Sequence, residues 1–195
     1  MLKKSLHLFA LLVIFSLTSC GYNTILGNDE AVNAAVGDMQ AAYQRRMDLI
    51  PNLVSTVKGY ASHEKDTLQA VVDARSRAGS VQVTPELAND PEAFANFQKA
   101  QSQMTSALSR LMVIVEQYPD LKANENFRDL QNQLEGTENR INVARTRYNE
   151  AVRVFNLSIR RFPNSITNSI FLKLTTKQSF TASEGAQKAP EVKFE

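Results

Sequence analysis

Four charged residues are the strongest candidates for a functional role, because the helical pattern predicts buried side chains at their positions. Arg46 and Glu64 interrupt apolar seven-residue rows in the first predicted helix, and Glu138 and Arg145 lie on an edge row of the last long one. A buried charge must pair with an opposite charge or reach water. If these two helices run parallel, Glu64 comes within about one turn of Arg145 at ~1.5 Å rise per residue. The pattern therefore predicts a Glu64–Arg145 ion pair, which would fix helix register or line a polar groove.

Other polar residues on or beside these rows could hold the helices together or contact a partner. They are Arg45, Asp48, Asn52, Asn149 and Arg160. Arg45 and Arg46 together could contact anionic lipid. Two arginines close to Asp48, however, are more typical of a solvated and locally paired turn.

The sequence does not contain the residue sets that metal sites and nucleophilic catalysis require. His63 is the one histidine outside the N-terminal segment, which excludes HExxH and His-rich metal sites. Carboxylate di-metal bundles need Glu-x-x-His pairs, but Tyr60 stands three residues before His63. The single cysteine excludes an internal disulfide and Cys-based zinc sites. We therefore expect no metal, no cofactor and no enzymatic activity.

The charge balance gives no reason to expect nucleic acid as a partner. The chain has 22 Lys+Arg and 20 Asp+Glu among 195 residues, and two of the lysines, Lys3 and Lys4, fall in a segment predicted to be removed. The mature balance is then 20 against 20. Affinity for nucleic acid depends on clustered, uncompensated Lys and Arg. The length favours one domain.

The N-terminus has the pattern of an export signal. Lys3 and Lys4 precede an almost wholly apolar run over 6–17. This run is shorter than the ~20 apolar residues of a transmembrane helix and is typical of a signal peptide. We predict that residues 1–19 form the signal peptide.

The end of this signal resembles the lipobox of bacterial lipoproteins. The segment Leu17-Thr18-Ser19-Cys20-Gly21 places the sole cysteine where lipidation and cleavage occur in such proteins. We predict lipidation at Cys20 and a lipidated tether over 20–27. Two or three acyl chains are enough for stable membrane anchoring. Glycine after the cysteine favours the outer membrane, facing the periplasm, in a diderm bacterium.

Long amphipathic helices account for most of the remaining sequence. Apolar rows that start at Val32 and Val36 keep their phase across Pro51, which predicts one helix over about 28–78 that is kinked before Pro51. In the alternative, Asp48 caps a new helix with Pro51 in its first turn, and the protein has four full helices.

Two more long helices follow a loop over 79–89. The segment Asp90-Pro91-Glu92 is typical of a helix start, and Tyr118-Pro119 of its end. The third helix runs over about 123–161, and residues 164–174 predict a short amphipathic turn or helix. The tail over 175–195 is rich in polar and small residues, so we expect it to be extended or disordered. The predicted fold class is an all-α, antiparallel up-and-down bundle over 28–174.

Three blocks of this sequence closely resemble the signature of the LemA family. They comprise Tyr43–Val54 with 57–60 and 63–64, then Glu116–Phe127 with Leu134–Ile141, and finally 144–145, 148–152, Asn156 and 160–163. The resemblance covers nearly all of residues 22–195. One departure is Val36, where members commonly carry a tryptophan.

The resemblance implies an antiparallel helical bundle that is tied to the bacterial envelope, here by a lipid anchor in place of the usual N-terminal membrane segment. It implies no catalytic residues. We predict a non-enzymatic envelope lipoprotein, a membrane-anchored scaffold or adaptor whose partners are the membrane and an unknown envelope protein. Self-association into a homo-oligomer stays open. The alternative is a ligand-binding or enzymatic bundle that uses Glu64, Glu138 and Arg145.

Overall fold

The computed structural model describes residues 2–181, and only the backbone of residues 2–20. Its helices are α1 (Leu2–Tyr60), α2 (Lys65–Ser80), α3 (Pro91–Val115), α4 (Pro119–Ala123), α5 (Glu125–Arg160) and α6 (Asn164–Thr167). A 3-10 turn covers Pro85–Asn89, and a π turn covers Asn168–Leu172. No strand occurs within the described range. The all-α fold class is confirmed.

The helices α1 and α5 lie side by side and run antiparallel. Asp38 forms an ion pair with Arg147 at 3.8 Å, and further along α1 the Asn124 amide donates to the Tyr60 hydroxyl at 2.9 Å. Residue numbers along α5 therefore decrease in the direction in which residue numbers along α1 increase.

The helices α2 and α3 complete an up-down-up-down bundle. Arg75 on α2 donates from Nε to the backbone carbonyl of Met47 at 3.0 Å, so α2 folds back along α1. On α3, the Phe97 ring packs against the Tyr43 ring with 5.0 Å between their centroids. Just beyond this helix, the Tyr118 hydroxyl donates to the Glu64 carboxylate. Thus α3 runs in the same direction as α1.

The first helix is continuous across Pro51, as predicted, but it ends near residue 61 rather than at 78, and the kink before Pro51 stays a prediction. The helix α1 continues through Pro51, so the alternative in which a new helix starts there is wrong. The chain instead turns at 61–64, where the Glu64 N–H donates to the Ala61 carbonyl at 3.1 Å. Val57 before the turn and Leu68 after it are both buried in one cluster. Because both helices bury apolar residues in the same core, the apolar row continues across the turn and resembles that of one helix.

The core consists of two apolar clusters stacked along the bundle. The proximal cluster lies near the N-terminal part of α1 and includes Ile25, Tyr43, Phe97, Tyr148 and Phe180. The distal cluster lies toward the turn at 61–64 and includes Met47, Leu53, Val71, Met104, Leu111 and Leu134.

The helix α1 includes the segment 20–27, which the sequence predicts as a tether. Ile25 is fully buried there, so this segment belongs to the bundle. The side chain of Cys20 lies outside what the structure describes. In the described part of the chain, no helix is both long and apolar enough to span a bilayer.

After α5 the chain packs α6 against α1 near Gly21 and then returns along α5 as a strap, residues 173–181. Lys177 and Phe180 of this strap are buried. The strap has no regular secondary structure, and it contributes more to the core than its composition indicates. The rest of the predicted tail, 182–195, lies outside the described residues.

Candidate functional site

A polar layer centred on Arg46 separates the two apolar clusters. Arg46 is only 2% exposed, and its Nη1 lies 2.9 Å from Glu138 Oε2 and 3.3 Å from Thr105 Oγ1. Its Nη2 donates to the side-chain carbonyl of Gln101. The layer thus joins α1, α3 and α5 at one level of the bundle. The sequence predicted Arg46 and Glu138 as candidates, and the structure brings these two together.

The aromatic ring of Tyr43 covers another side of the Arg46 guanidinium. The Arg46 Cζ lies 5.3 Å from the ring centroid, within cation–π range. Burial raises the pKa of Tyr43, while Arg145 and Arg46 oppose that rise. The buried Arg46 Nε finds no hydrogen-bond partner among the described residues.

The chemistry of the polar layer suits positioning rather than catalysis. Arginine keeps its proton in proteins, so Arg46 cannot act as a general base. A buried polar layer between apolar clusters permits few alternative alignments of the helices, because a shifted register would strand the charge. We interpret the layer as a register device.

The predicted Glu64–Arg145 pair is wrong. The prediction assumed that the first and last long helices run parallel, whereas α1 and α5 are antiparallel. Glu64 lies at the distal end, where it accepts a 2.9 Å hydrogen bond from the Tyr118 hydroxyl. That bond raises the pKa of Tyr118. Arg145 instead lies over the Phe180 ring, 4.5 Å from its centroid.

Four other predicted residues, Arg45, Asp48, Asn52 and Arg160, lie on the exposed surface. Arg45 donates to the Gln133 side chain on α5 at 3.0 Å. The other three take part in hydrogen bonds between residues four apart in their own helices. These contacts support the helices without assembling a reactive centre.

Three asparagines hold the strap by its backbone. In each case the side-chain carbonyl accepts from the N–H of a strap residue, and the side-chain amide donates to the carbonyl of that same residue. The pairs are Asn168 with Leu174, Asn156 with Lys177 and Asn149 with Phe180, with all six bonds at 2.8–3.0 Å. We call these the three asparagine clamps.

The spacing of two clamps follows from elementary geometry. Asn149 and Asn156 are seven residues apart on α5, which is about 10.5 Å at 1.5 Å rise per residue. Lys177 and Phe180 are three residues apart, which is about 10 Å for extended chain at ~3.3 Å per residue. The helix and the strap therefore stay in register across both clamps. The sequence predicted Asn149 as a candidate but gave no indication of the strap that it binds.

The side chain of Lys177 crosses into the bundle. Its Nζ lies 2.9 Å from Asp29 Oδ1 on α1 and 3.3 Å from the Asn89 side-chain oxygen, and it sits 5.1 Å from the Phe155 ring centroid. The strap therefore ties α1, the 3-10 turn and α5 together. Sequence reasoning missed Lys177, because nothing in a polar tail indicates a buried lysine.

An open cleft of about 630 Å³ lies between α1, the end of α2 and the connection to α3. Its polar lining includes Gln40, Gln44, Arg75, Ser76, Gln82 and Thr84. The charged member, Arg75, donates from Nε to the Met47 carbonyl. Amides and hydroxyls line this cleft, so it offers hydrogen bonds rather than proton transfer. Among the described side chains, no group of His, Cys, Asp and Glu could hold a metal ion.

Comparison with known proteins identifies the family. The sequence model described as "LemA family" matches residues 35–194. The chain belongs to the LemA family. The resemblance stated from the three sequence blocks is confirmed.

Similar proteins include two magnetosome proteins and one named for the family. "Magnetosome protein MamQ 2" of Paramagnetospirillum magneticum is 27% identical over 158 residues, which cover 73% of this chain and 58% of that protein. "Magnetosome protein MamQ" of Magnetospirillum gryphiswaldense is 25% identical over 179 residues, or 83% and 65%. "Protein LemA" of Metamycoplasma hominis is 26% identical over 152 residues, or 78% and 64%. The chain spans about three fifths of the length of these relatives.

In this LemA protein, the blocks that carry the resemblance contain the residues that build the site. The first block contains Arg46, the second Glu138, and the third Asn149 and Asn156. The polar layer and two of the three clamps therefore fall inside these blocks.

Proposed function

We propose that this LemA protein is a lipid-anchored protein of the bacterial envelope that acts as a non-enzymatic helical scaffold or adaptor. Membership of a membrane-associated family supports the location. The signal-like run over 6–17 and the lipobox-like segment ending at Cys20 support a lipid anchor. Gly21, the residue after the cysteine, favours placement in the outer membrane, facing the periplasm.

The observation that carries this proposal is the continuity of α1 from the anchor segment into the bundle. The helix extends from Leu2 to Tyr60. From residue 21 to its end, α1 is about 60 Å long at 1.5 Å rise per residue. A bundle with its anchor at one end of such a helix can hold its distal end and its polar cleft at a fixed distance from that anchor. This geometry suits a scaffold.

The polar side chains support binding more than catalysis. Two buried charges are engaged within the fold: Arg46 by Glu138, Gln101 and Thr105, and Lys177 by Asp29 and Asn89. The cleft presents amides and hydroxyls that suit the backbone of a protein partner. A ligand-binding role for this cleft is the second candidate, and it rests on the volume of about 630 Å³.

Fatty-acid labelling tests the anchor, and photocrosslinking tests the partner surface. The full chain should take up a labelled fatty acid in a bacterial host, and Cys20→Ser should not. A photoreactive residue at Gln44 or Gln82 should capture an envelope protein, whereas the same group at Val113, exposed near the end of α3, should not. Equal labelling of the Cys20→Ser variant would refute the anchor, and capture of the chain itself would identify self-association. Absence of any specific adduct at the cleft would refute the partner site.

A further inference from the structure

We propose that the end of the bundle beside the anchor binds the bilayer surface through an apolar patch formed by Phe162, Ile166, Ile170 and Phe171. We call these four residues the membrane patch. This inference rests on the proposed anchor, because the anchor brings the patch to the bilayer. It adds that the folded domain itself contacts lipid and is held in one orientation.

The membrane patch is apolar and strongly exposed. Its four side chains are 44–76% exposed, although large apolar side chains are usually buried. Ile166 and Ile170 are four residues apart within α6 and the π turn that continues it, which places them on one side of that segment, and Phe162 lies in the turn just before α6. Tyr22, Leu26 and Leu157 are also exposed at this end of the bundle. A contiguous apolar surface on a folded protein is typical of a contact with a membrane or a partner.

The helix α6, which carries Ile166 of the patch, lies next to the residue that follows the predicted lipidated cysteine. The helix α6 packs against α1 at Gly21, where an added Cβ would lie 2.8 Å from the side-chain oxygen of Asn164 and 3.2 Å from that of Thr167. Thr167 is buried, and the Asn168 clamp fixes the following segment through Leu174. Acyl chains attached at Cys20 would therefore enter the bilayer beside a rigidly held apolar surface.

The segment that carries the patch has a charge that suits an anionic lipid surface. From Leu157 to Thr176 the sequence contains Arg160, Arg161 and Lys173 and no acidic residue. All three basic residues are exposed. Basic residues near an apolar interfacial surface are attracted to anionic headgroups, while the apolar side enters the boundary of the acyl chains. The pattern favours a lipid surface over an apolar groove on another protein.

A single introduced tryptophan can test the proposal, because the chain contains none. The full-length Phe171→Trp variant, purified from membranes, would be reconstituted into vesicles that contain phosphatidylglycerol and lipids brominated at defined acyl positions. We expect a blue-shifted emission and strong quenching by bromines near the headgroup, because interfacial segments bury their apolar side about 5–10 Å deep. Ile170→Trp provides a second reporter, and both positions are exposed enough for the fold to tolerate the change.

Val113→Trp is the matched control, since Val113 is also exposed but lies on the half of α3 toward the distal end. Its emission should stay water-like and unquenched. If the Phe171→Trp and Ile170→Trp variants emit as the Val113→Trp variant does while the protein floats with the vesicles, the membrane patch is refuted and the anchor stands. If mass spectrometry finds no acyl chain on Cys20, the anchor is refuted, and the quenching result still decides whether the patch enters the bilayer.

Discussion

Asn149 binds both backbone polar groups of Phe180, with its amide donating to the Phe180 carbonyl at 3.0 Å and its carbonyl accepting from the Phe180 N–H at 2.8 Å. The Phe180 ring then packs against Phe94 and Tyr148, and Arg145 covers it. A residue of the C-terminal strap is thereby built into the proximal cluster. The strap is part of the fold and determines what covers this side of the bundle.

Removing this clamp should loosen the strap without unfolding the bundle. Asn149→Ala leaves two backbone groups without their partner, so we expect the free energy of unfolding to fall by about 1–3 kcal/mol. Asn149→Asp keeps the acceptor for the Phe180 N–H but sets a carboxylate oxygen against the Phe180 carbonyl, so it should destabilise the strap as well. Urea unfolding and hydrogen exchange at the Phe180 amide would measure both effects. Asn142→Ala, an exposed asparagine on the same helix, is the control and should change little. Equal effects at 142 and 149 would contradict the clamp.

Removing Arg46 from the polar layer should lower the free energy of unfolding more than removing Glu138. Arg46 is 2% exposed and Glu138 43%, so Arg46→Ala opens a cavity between the helices and leaves the buried Gln101 side chain without its donor, at a cost of about 2–5 kcal/mol. Glu138→Ala leaves Arg46 bound to Gln101 and Thr105, so we expect a loss of about 1–3 kcal/mol. Arg46→Met, which fills the space, should cost less than Arg46→Ala. A double-mutant cycle in urea measures the coupling, and additive losses would show that the pair does not interact.

Two buried tyrosines should make the protein sensitive to alkali. Burial raises the pKa of Tyr148, and burial also raises the pKa of Tyr43. Tyrosine in an unfolded chain ionises near pH 10, so above about pH 10 the folded state binds more protons than the unfolded state. The stabilisation from these groups is therefore fully present below that pH and is lost as the pH rises above it. Urea midpoints between about pH 8 and pH 11 should fall steeply at the alkaline end of this range.

Tyr148→Phe separates this titration from other effects of alkali. The variant loses the 2.7 Å hydrogen bond to the Gln178 carbonyl, so it should be less stable at neutral pH. Its alkaline decline should nevertheless be shallower than that of the parent chain. Parallel declines would contradict a role for Tyr148 in the pH dependence.

Replacing Pro51 should preserve the helix, because α1 continues through this exposed position. We expect Pro51→Ala to leave the free energy of unfolding unchanged or to raise it, by at most the ~3 kcal/mol that separates alanine from proline inside a helix. Circular dichroism should show equal or greater helicity. Asn52→Ala is the neighbouring control and should shift stability by less than about 0.5 kcal/mol. A loss of helicity in Pro51→Ala alone would mean that the proline is needed for the local structure.

The helices were predictable from sequence, and their directions were not. Apolar periodicity locates each helix because it reports which side is buried. It does not report where the chain reverses direction. The apolar row of α1 continues into α2 across the turn at 61–64, so the pattern predicted one helix where there are two. That error, in turn, produced the parallel arrangement behind the wrong Glu64–Arg145 pair.

The candidate site was predictable only where a charge interrupts an apolar row. Arg46 was found in this way. Gln101 is uncharged, but it is likewise a polar residue within an apolar stripe, that of α3. The clamps were not predictable, because an asparagine that binds a remote strap looks like any exposed polar residue. Lys177 and Phe180 lie in a segment whose composition indicates no burial, and their environment depends on long-range contacts.

The mass of the mature N-terminus tests the central claim most directly. The full chain would be produced in a bacterial host, extracted from the membrane fraction and measured intact, with fragmentation of its N-terminal peptide. We predict a chain that begins at Cys20 and carries two or three acyl chains on that residue. A membrane-extracted chain that retains residues 1–19, or that begins at an unmodified Cys20, would contradict the lipid-anchored account.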